Sequence, residues 1–196
     1  MQVEAFFRAA GEEDRAAIGA ILARAYEQDF RILTRDVKVA AALMAGGIVV
    51  ERFRVLEADG GVVACVALSD VSGRTFAVEP RQFRRLTGRI KGTIASWVFA
   101  DTLVKPLDLP EGTGFIEYVT VAEDWRGRGL GRRLLAETLA LGLHERYRLT
   151  VQLRNRVALG LYRSFGFVLI RSYRNGLLDT FPLQRELLLE YAGRRP

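Results

Sequence analysis

Apolar positions recur with two different spacings along this chain, and the changes of spacing mark out its elements. Between Ala9 and Tyr26, the residues Ile18, Ile21, Leu22 and Ala25 fall at helical intervals behind an acidic opening of Glu12, Glu13 and Asp14. That pattern predicts an amphipathic helix with carboxylates at its positive end. A short strand over Val3 to Phe7 precedes it, and a second helix runs from Arg35 to Met44 and ends at Gly46-Gly47. Gln28 to Thr34 fits neither spacing. Arg52 to Ala58 and Val62 to Leu68 are strand-like runs joined by Asp59-Gly60-Gly61, a hairpin signal. Val71 to Pro80 reads as a loop or irregular strand.

From Arg81 to Val104 the spacing is helical again, with Phe83, Leu86, Ile90, Ile94, Trp97 and Val98 on the apolar side and Arg81, Arg84, Arg85, Arg89 and Lys91 on the polar side. Gly88 and Gly92 weaken this run and divide it. It reads as a helical insertion over about 79–104 whose basic residues form a solvated face or, alternatively, meet an acidic substrate or partner. A loop with Pro106, Pro110 and Gly112 follows, then a strand Phe115 to Val121, a helix Leu130 to Glu145 and a strand Tyr147 to Leu153. A further helix opens at Asn155, carries Ala158, Leu161, Tyr162 and Phe165 on one face and stops at Gly166. Phe167 to Tyr173 is a strand, Asn175-Gly176 a tight turn and Arg185 to Tyr191 a last strand. The alternation of strand and helix from Phe115 to Tyr173 predicts a mixed α/β organisation.

Composition narrows the class. The 196 residues suit one compact domain over 1–196, and 49% hydrophobic with 27% charged residues suits a folded globular chain and excludes wholesale disorder. Met1 to Arg8 contains Glu4 and does not read as a signal peptide. The longest apolar-leaning helical stretch, Ile94 to Val104, is interrupted by Asp101 and is too short to span a bilayer, so no membrane partner is expected and the reading is a soluble, cytoplasmic protein. Cys65 is the single cysteine, which excludes an intrachain disulfide and a thiolate zinc cluster, and its apolar neighbours make it core packing. His144, the single histidine, reads as a favourable charge near the C-terminus of its helix. No metal is expected.

A net charge of +6 invites a nucleic-acid reading. Many of the arginines, however, gather between Arg126 and Arg163, around one glycine-rich stretch and the helix that follows it. The stretch is Trp125-Arg126-Gly127-Arg128-Gly129-Leu130-Gly131-Arg132-Arg133, at the turn from a strand into a helix. Glycines there let backbone N–H groups approach a ligand, and the helix N-terminus favours an anion. The absence of a lysine excludes a Walker loop, and Arg132 stands where a dinucleotide fingerprint needs its last glycine.

What remains, Arg126-x-x-Gly129-x-Gly131, resembles the first motif of the GNAT superfamily of acyl-CoA-dependent N-acetyltransferases. Asn155-x-x-Ala158-x-x-Leu161-Tyr162-x-x-x-Gly166-Phe167 is similar to that family's second motif, at the usual distance. The resemblance implies a GNAT-like α/β fold: a mixed, mostly antiparallel central sheet with helices on both faces and a splayed strand pair, around Val119 and Val151, that binds acyl-CoA. It implies acetyl-CoA as cosubstrate, its pantetheine paired with the backbone of Val119, Thr120 and Val121 and its pyrophosphate capped by Arg126, Gly127, Arg128, Gly129, Leu130, Gly131 and Arg132. Asn155 and Tyr162 would also meet the cofactor, although Asn155 equally suits a helix N-cap.

The implied activity is direct transfer of an acetyl group to a primary amine of a small molecule or protein. Tyr162 aligns with the tyrosine that serves many members of the family as general acid. Glu117, an acid in an apolar strand, is the candidate base, since burial there would raise its pKa, and strict alternation would put it on the same side as Val119 and Val121. Tyr26, Phe30 and Arg35 are candidates for the acceptor side of the cleft. Thr150 stands where members that acetylate protein N-termini often carry a glutamate, which argues against that acceptor. The alternative is a catalytically silent acyl-CoA-binding sensor, with the glycine stretch but no acid and base. The partners are thus acetyl-CoA and an amine acceptor, with nucleic acid disfavoured and a homodimer left open.

Overall fold

The computed structural model describes residues 4–31, 33–175 and 184–192. Four-residue strand β1 (Phe6–Ala9) leads through a 3-10 turn (Glu12–Asp14) into helix α1 (Arg15–Ala25). Asp14 closes that turn: its carboxylate accepts from the Gly11 N–H at 2.8 Å and from both terminal nitrogens of Arg8 at 2.6 and 2.9 Å. The Arg8 guanidinium holds the Asp14 carboxyl below the usual range. A short helix α2 (Glu27–Phe30) occupies the stretch that fitted neither spacing. Helix α3 (Val37–Gly47) is N-capped by Asp36 and continues through Gly46 and Gly47 rather than stopping before them.

Strands β2 (Phe53–Ala58) and β3 (Gly61–Ser69) form the expected hairpin. Its two loop residues, Asp59 and Gly60, have φ of 51° and 74°, the paired left-handed conformation whose twist suits a two-residue turn. The insertion is divided at Gly88 (φ 89°) into α4 (Pro80–Thr87) and α5 (Arg89–Phe99), and α5 loosens into a π-helical turn over Ala100–Val104. A Cβ at Gly92 would stand 2.5 Å from the Arg84 Cα and the Phe83 carbonyl oxygen, so the two helices cross closely there.

Strand β4 (Thr113–Val121), helix α6 (Leu130–Ala140), strand β5 (Arg146–Gln152), helix α7 (Arg156–Ser164), strand β6 (Val168–Asn175) and strand β7 (Gln184–Ala192) complete the chain. Helix α6 is shorter than its apolar spacing suggests, because Gly142 takes φ 59° just beyond it. His144 therefore lies past the helix, not in its last turn. Its ring meets Tyr147 edge-on and its Nε2 stands 3.9 Å from Asp70. The turn proposed at Asn175-Gly176 runs outside the described residues.

The strand order is β1-β2-β3-β4-β5-β7-β6, and every neighbouring pair is antiparallel except β4 with β5. One face buries Val66, Ile116 and Leu149 against Leu134 and Leu135 of α6 and Leu159 of α7. The other buries Val55, Cys65 and Ala67 against Ile18 and Leu22 of α1 and Met44 of α3. Alternation along β2 and β3 feeds both faces, which is why these strands are buried almost throughout. Leu43, Phe83 and Ala95 form a third, smaller cluster that seats the insertion on α3. The fold is therefore a mixed α/β layer structure with a largely antiparallel sheet between helices. Among the described residues no helix is long and apolar enough to cross a membrane.

Candidate active site

The parallel pair β4 and β5 is joined at one end only, through Thr113–Arg146, Gly114–Tyr147 and Phe115–Arg148. Beyond it β5 continues with β7 as far as Gln152, and β4 continues with β3 as far as Val121. The strands part, and a cleft of about 850 Å³ opens between them. Val119, Thr150 and Val151 line it from the sheet, Asn155, Ala158 and Tyr162 from α7, Tyr26, Glu27 and Asp29 from the α1–α2 corner, and Thr102 and Leu103 from the π-helical turn.

Strand β4 is bulged where it lines the cleft. Cys65 pairs with Thr120 and Ala67 with Glu117, so three steps of β4 oppose two of β3. Tyr118 takes the extra place with φ 56°, a costly conformation for a bulky residue, of the kind that bulges near functional sites adopt. The bulge corrects the alternation argument. Glu117 pairs with Ala67 and so turns to the α1–α3 face, whereas Val119 and Val121 pack on the opposite face with α6 and α7.

Glu117 is not the unpartnered buried acid that its sequence position suggests. Its Oε1 accepts from Arg74 Nη2 at 2.9 Å and its Oε2 from the hydroxyls of Ser69 and, at 2.9 Å, Thr75. Both side chains of the ion pair are about nine-tenths buried, with 9% of Arg74 and 10% of Glu117 exposed. A second Arg74 nitrogen, Nη1, donates to the Lys105 carbonyl at 2.7 Å, tying the end of the insertion to β4. Of the roughly four acceptor positions on a carboxylate, one on Oε1 is left over at the cleft wall. Ser69, Arg74 and Thr75 carry no motif, and Arg74 lies in a segment that sequence spacing leaves as loop; only the solitary acid in β4 signalled that partners had to exist.

Four tyrosines, Tyr26, Tyr118, Tyr162 and Tyr173, line the same space. Tyr162, on the buried face of α7, has its hydroxyl pushed up to about 12 by burial. Tyr26 and Tyr118 meet edge-on with ring centres 5.8 Å apart, and both hydroxyls are raised by burial. Thr120 pairs with Cys65 and so faces the α1 side. Asn155 caps α7, its Oδ1 accepting from the Ala158 N–H at 3.1 Å, and also lines the cleft. Phe30 is core, packed on Phe99, and Arg35 sits with Glu27 and Arg31 at a separate hollow of about 460 Å³.

The glycine turn lies beyond the cleft wall, where β4 passes through a 3-10 turn (Glu123–Trp125) into α6. Gly127 and Gly129 have φ of 76° and 79°, and a Cβ on either would meet nothing within 4 Å. The first-turn N–H groups of α6 have no capping side chain, because the residue at that position is Gly129. The arginines shape the turn: Arg126 Nε donates to the Val121 carbonyl at 3.2 Å, Arg128 lies over Trp125 and donates to the Asp124 carbonyl, and Arg132 bridges to Ser164 over the Phe165 ring. Gly131 faces Val121 and Leu161 at ordinary contact distances, and Leu130 is buried in the core. Cys65, wholly buried, has its thiol pushed up to about 12. Among the described residues no group of three or more His, Cys, Asp or Glu is placed to hold a metal ion.

Comparison with known proteins agrees with this architecture. No curated protein matches the sequence significantly. Among solved structures, the chain is similar to an N-acetyltransferase from Staphylococcus aureus Mu50, at 18% identity and a TM-score of 0.62 over 95% of this chain and all of that one. It is similar to yncA of Salmonella typhimurium, solved with its cofactor acetyl-CoA, at 17% identity and 0.61 over 96% and 94%. A ribosomal-protein-alanine N-acetyltransferase from Brucella melitensis aligns at 18% identity and 0.60 over 95% and 99%. At such identities these likenesses establish the fold alone. The model of the acetyltransferase (GNAT) family matches residues 16–167, which is most of the chain, and the chain belongs to that family.

Proposed function

We propose that this protein is an acetyl-CoA-dependent N-acetyltransferase that moves an acetyl group directly onto a primary amine of a small molecule or protein. The observation that carries this reading is the conjunction of an uncapped, glycine-lined helix N-terminus with a strand splay whose cleft is lined by a buried tyrosine. The donor set fits acetyl-CoA. Gly127 and Gly129 leave open space where a side chain would stand, and the first-turn N–H groups of α6 face it as anion donors. The backbone of Val119, Thr120 and Val121 borders the splay, as an extended pantetheine arm requires.

When bound, acetyl-CoA supplies an activated acyl group as a thioester. The chain's own residues then have separate tasks. Tyr162 keeps its proton throughout the working pH range, because burial holds its hydroxyl near 12, and it donates that proton to the leaving sulfur. Glu117 receives the acceptor ammonium through the remaining position on Oε1 and removes one proton, which frees the lone pair that bonds to carbon; the second proton, released as the amide forms, replaces the one that Tyr162 gives to sulfur. Arg74, Ser69 and Thr75 position that carboxylate.

Thiol release from acetyl-CoA, followed across a panel of amines, amino acids and peptides, tests the proposal. Acceptor-dependent release that Tyr162→Phe slows by about 10²–10⁴-fold is the expected result. Tight acetyl-CoA binding with no release across the panel would instead favour the sensor.

A further inference from the structure

The exposed side of α5 is apolar along its length. Ile90, Ile94 and Trp97 follow one another at helical spacing with 79%, 61% and 82% of their surfaces exposed, while Ala95 and Ser96 turn inward. Other large apolar side chains are exposed too, among them Phe6, Val157 and Val168, but a tryptophan open to water and in line with two isoleucines makes a continuous apolar stripe on one helix. The charges at the two ends of this stripe are equally unusual. Arg89 and Lys91 stand in the first turn of α5, where the helix dipole is positive, and no acid accompanies them. Asp101 lies just past the last turn, where the dipole is negative, with only a loose 4.0 Å contact to Lys105. Each end carries the sign that its own helix disfavours.

A copy of the same helix running the other way would answer both features. Ile94 and Trp97 are centred between residues 95 and 96, and so are Ile90 and Asp101. One two-fold axis there sets Ile94 opposite the partner's Trp97 and brings the basic end of α5 to the partner's Asp101. A parallel arrangement would instead bring Arg89 and Lys91 of both copies together. We propose that a second copy of this chain docks on α5, antiparallel and about that axis, with Ile94 against the partner's Trp97 and Arg89 and Lys91 beside the partner's Asp101.

One pair of short helices buries an area at the low end for specific association, below about 1,200 Å², so the dimer is weak and concentration-dependent. It braces a functional wall. Helix α5 runs directly into the π-helical turn whose Thr102 and Leu103 line the cleft, and into Lys105, whose carbonyl accepts from Arg74.

Sedimentation equilibrium of the full chain over a wide concentration range tests this, with circular dichroism confirming that each variant is folded. The expected result is a reversible monomer–dimer equilibrium that Ile94→Asp and Trp97→Ala each weaken by at least about tenfold. Asp101→Lys, on a surface position that cannot perturb the core, weakens it too, and Lys91→Glu in the same chain restores part of the loss. A wild-type chain that stays monomeric at every concentration overturns the proposal. So does a dimer that the Ile94 and Trp97 variants leave unmoved, because its interface then lies elsewhere, as on the edge strand β6.

Discussion

The two ends of the cleft are built on different principles. The glycine turn is a backbone device: adjacent residues, two left-handed glycines and an uncapped helix, all within Arg126 to Arg132. The acceptor side is a side-chain device, in which Glu117 of β4 is gripped by Ser69 at the end of β3 and by Arg74 and Thr75 in the segment beyond it. A backbone device is specified by local conformation, so a short motif is enough to mark it. A side-chain device is specified by what the sheet brings together from more than forty residues away, and it can vary without disturbing the other end. This division predicts that cofactor binding and acceptor chemistry can be damaged separately.

The turn should respond in cofactor affinity. Gly129→Glu places a side chain in a left-handed conformation and a carboxylate where a phosphate would lie, and acetyl-CoA affinity should fall at least about 100-fold, or roughly 3 kcal/mol, in calorimetric titration. Gly131→Ala adds a methyl at 3.7 Å from Val121, an ordinary contact, and should change affinity by no more than a few-fold. Equal effects of the two would erase the distinction between an open cradle and a packed glycine. Next comes Tyr162→Phe, which removes a proton donor and keeps the ring, so kcat should fall by about 10²–10⁴ while acetyl-CoA titrates as in the wild type.

The acceptor side should respond in stability as well as in rate. Glu117→Ala leaves the Arg74 guanidinium buried without its anion, at a cost of about 3–5 kcal/mol in a denaturant melt. Glu117→Gln keeps the shape and should retain acetyl-CoA affinity while acceptor kcat/KM drops. Loss of acetyl-CoA binding in that variant would show that the two ends are not separable.

How far the sequence could be read follows the same division. The turn, Asn155 and Tyr162 were legible because their motifs are contiguous and sit at a strand-to-helix and a helix-opening position. The hairpin was legible because Asp59-Gly60 encodes its own turn. The bulge at Tyr118 was not, since nothing in Phe115 to Val121 marks an extra residue, and the assumption of strict alternation therefore put Glu117 on the wrong face. Helix α6 was overextended because Leu141 and Leu143 keep the apolar spacing after Gly142 has already turned the backbone. Helix α3 was cut short for the opposite reason: Gly46 and Gly47 stay helical because Gly47 packs against Phe76 and the Ala77 carbonyl, a contact made only in the folded chain.

The smallest effect separates core from chemistry by pH. Burial moves the Cys65 thiol from its ordinary 9.0 to about 12 and the Tyr162 hydroxyl from 10.0 to about 12. The unfolded chain loses these protons first, so the stability they contribute is complete below pH 9 and declines as pH rises towards 12. Cys65→Ala removes the earliest part, and the decline in denaturation midpoint should then begin near 10 instead of 9. Thiol release below pH 9 should be unchanged in this variant, since Cys65 sits in the core and does not itself line the cleft.

The most direct test of the central claim is calorimetric titration of acetyl-CoA into the wild type, Gly129→Glu and Tyr162→Phe side by side. Micromolar binding to the wild type, retained in Tyr162→Phe and lost in Gly129→Glu, is the predicted result. Equal affinity in all three, or no binding to the wild type, would contradict the assignment of the glycine turn and the splay behind it as the cofactor site.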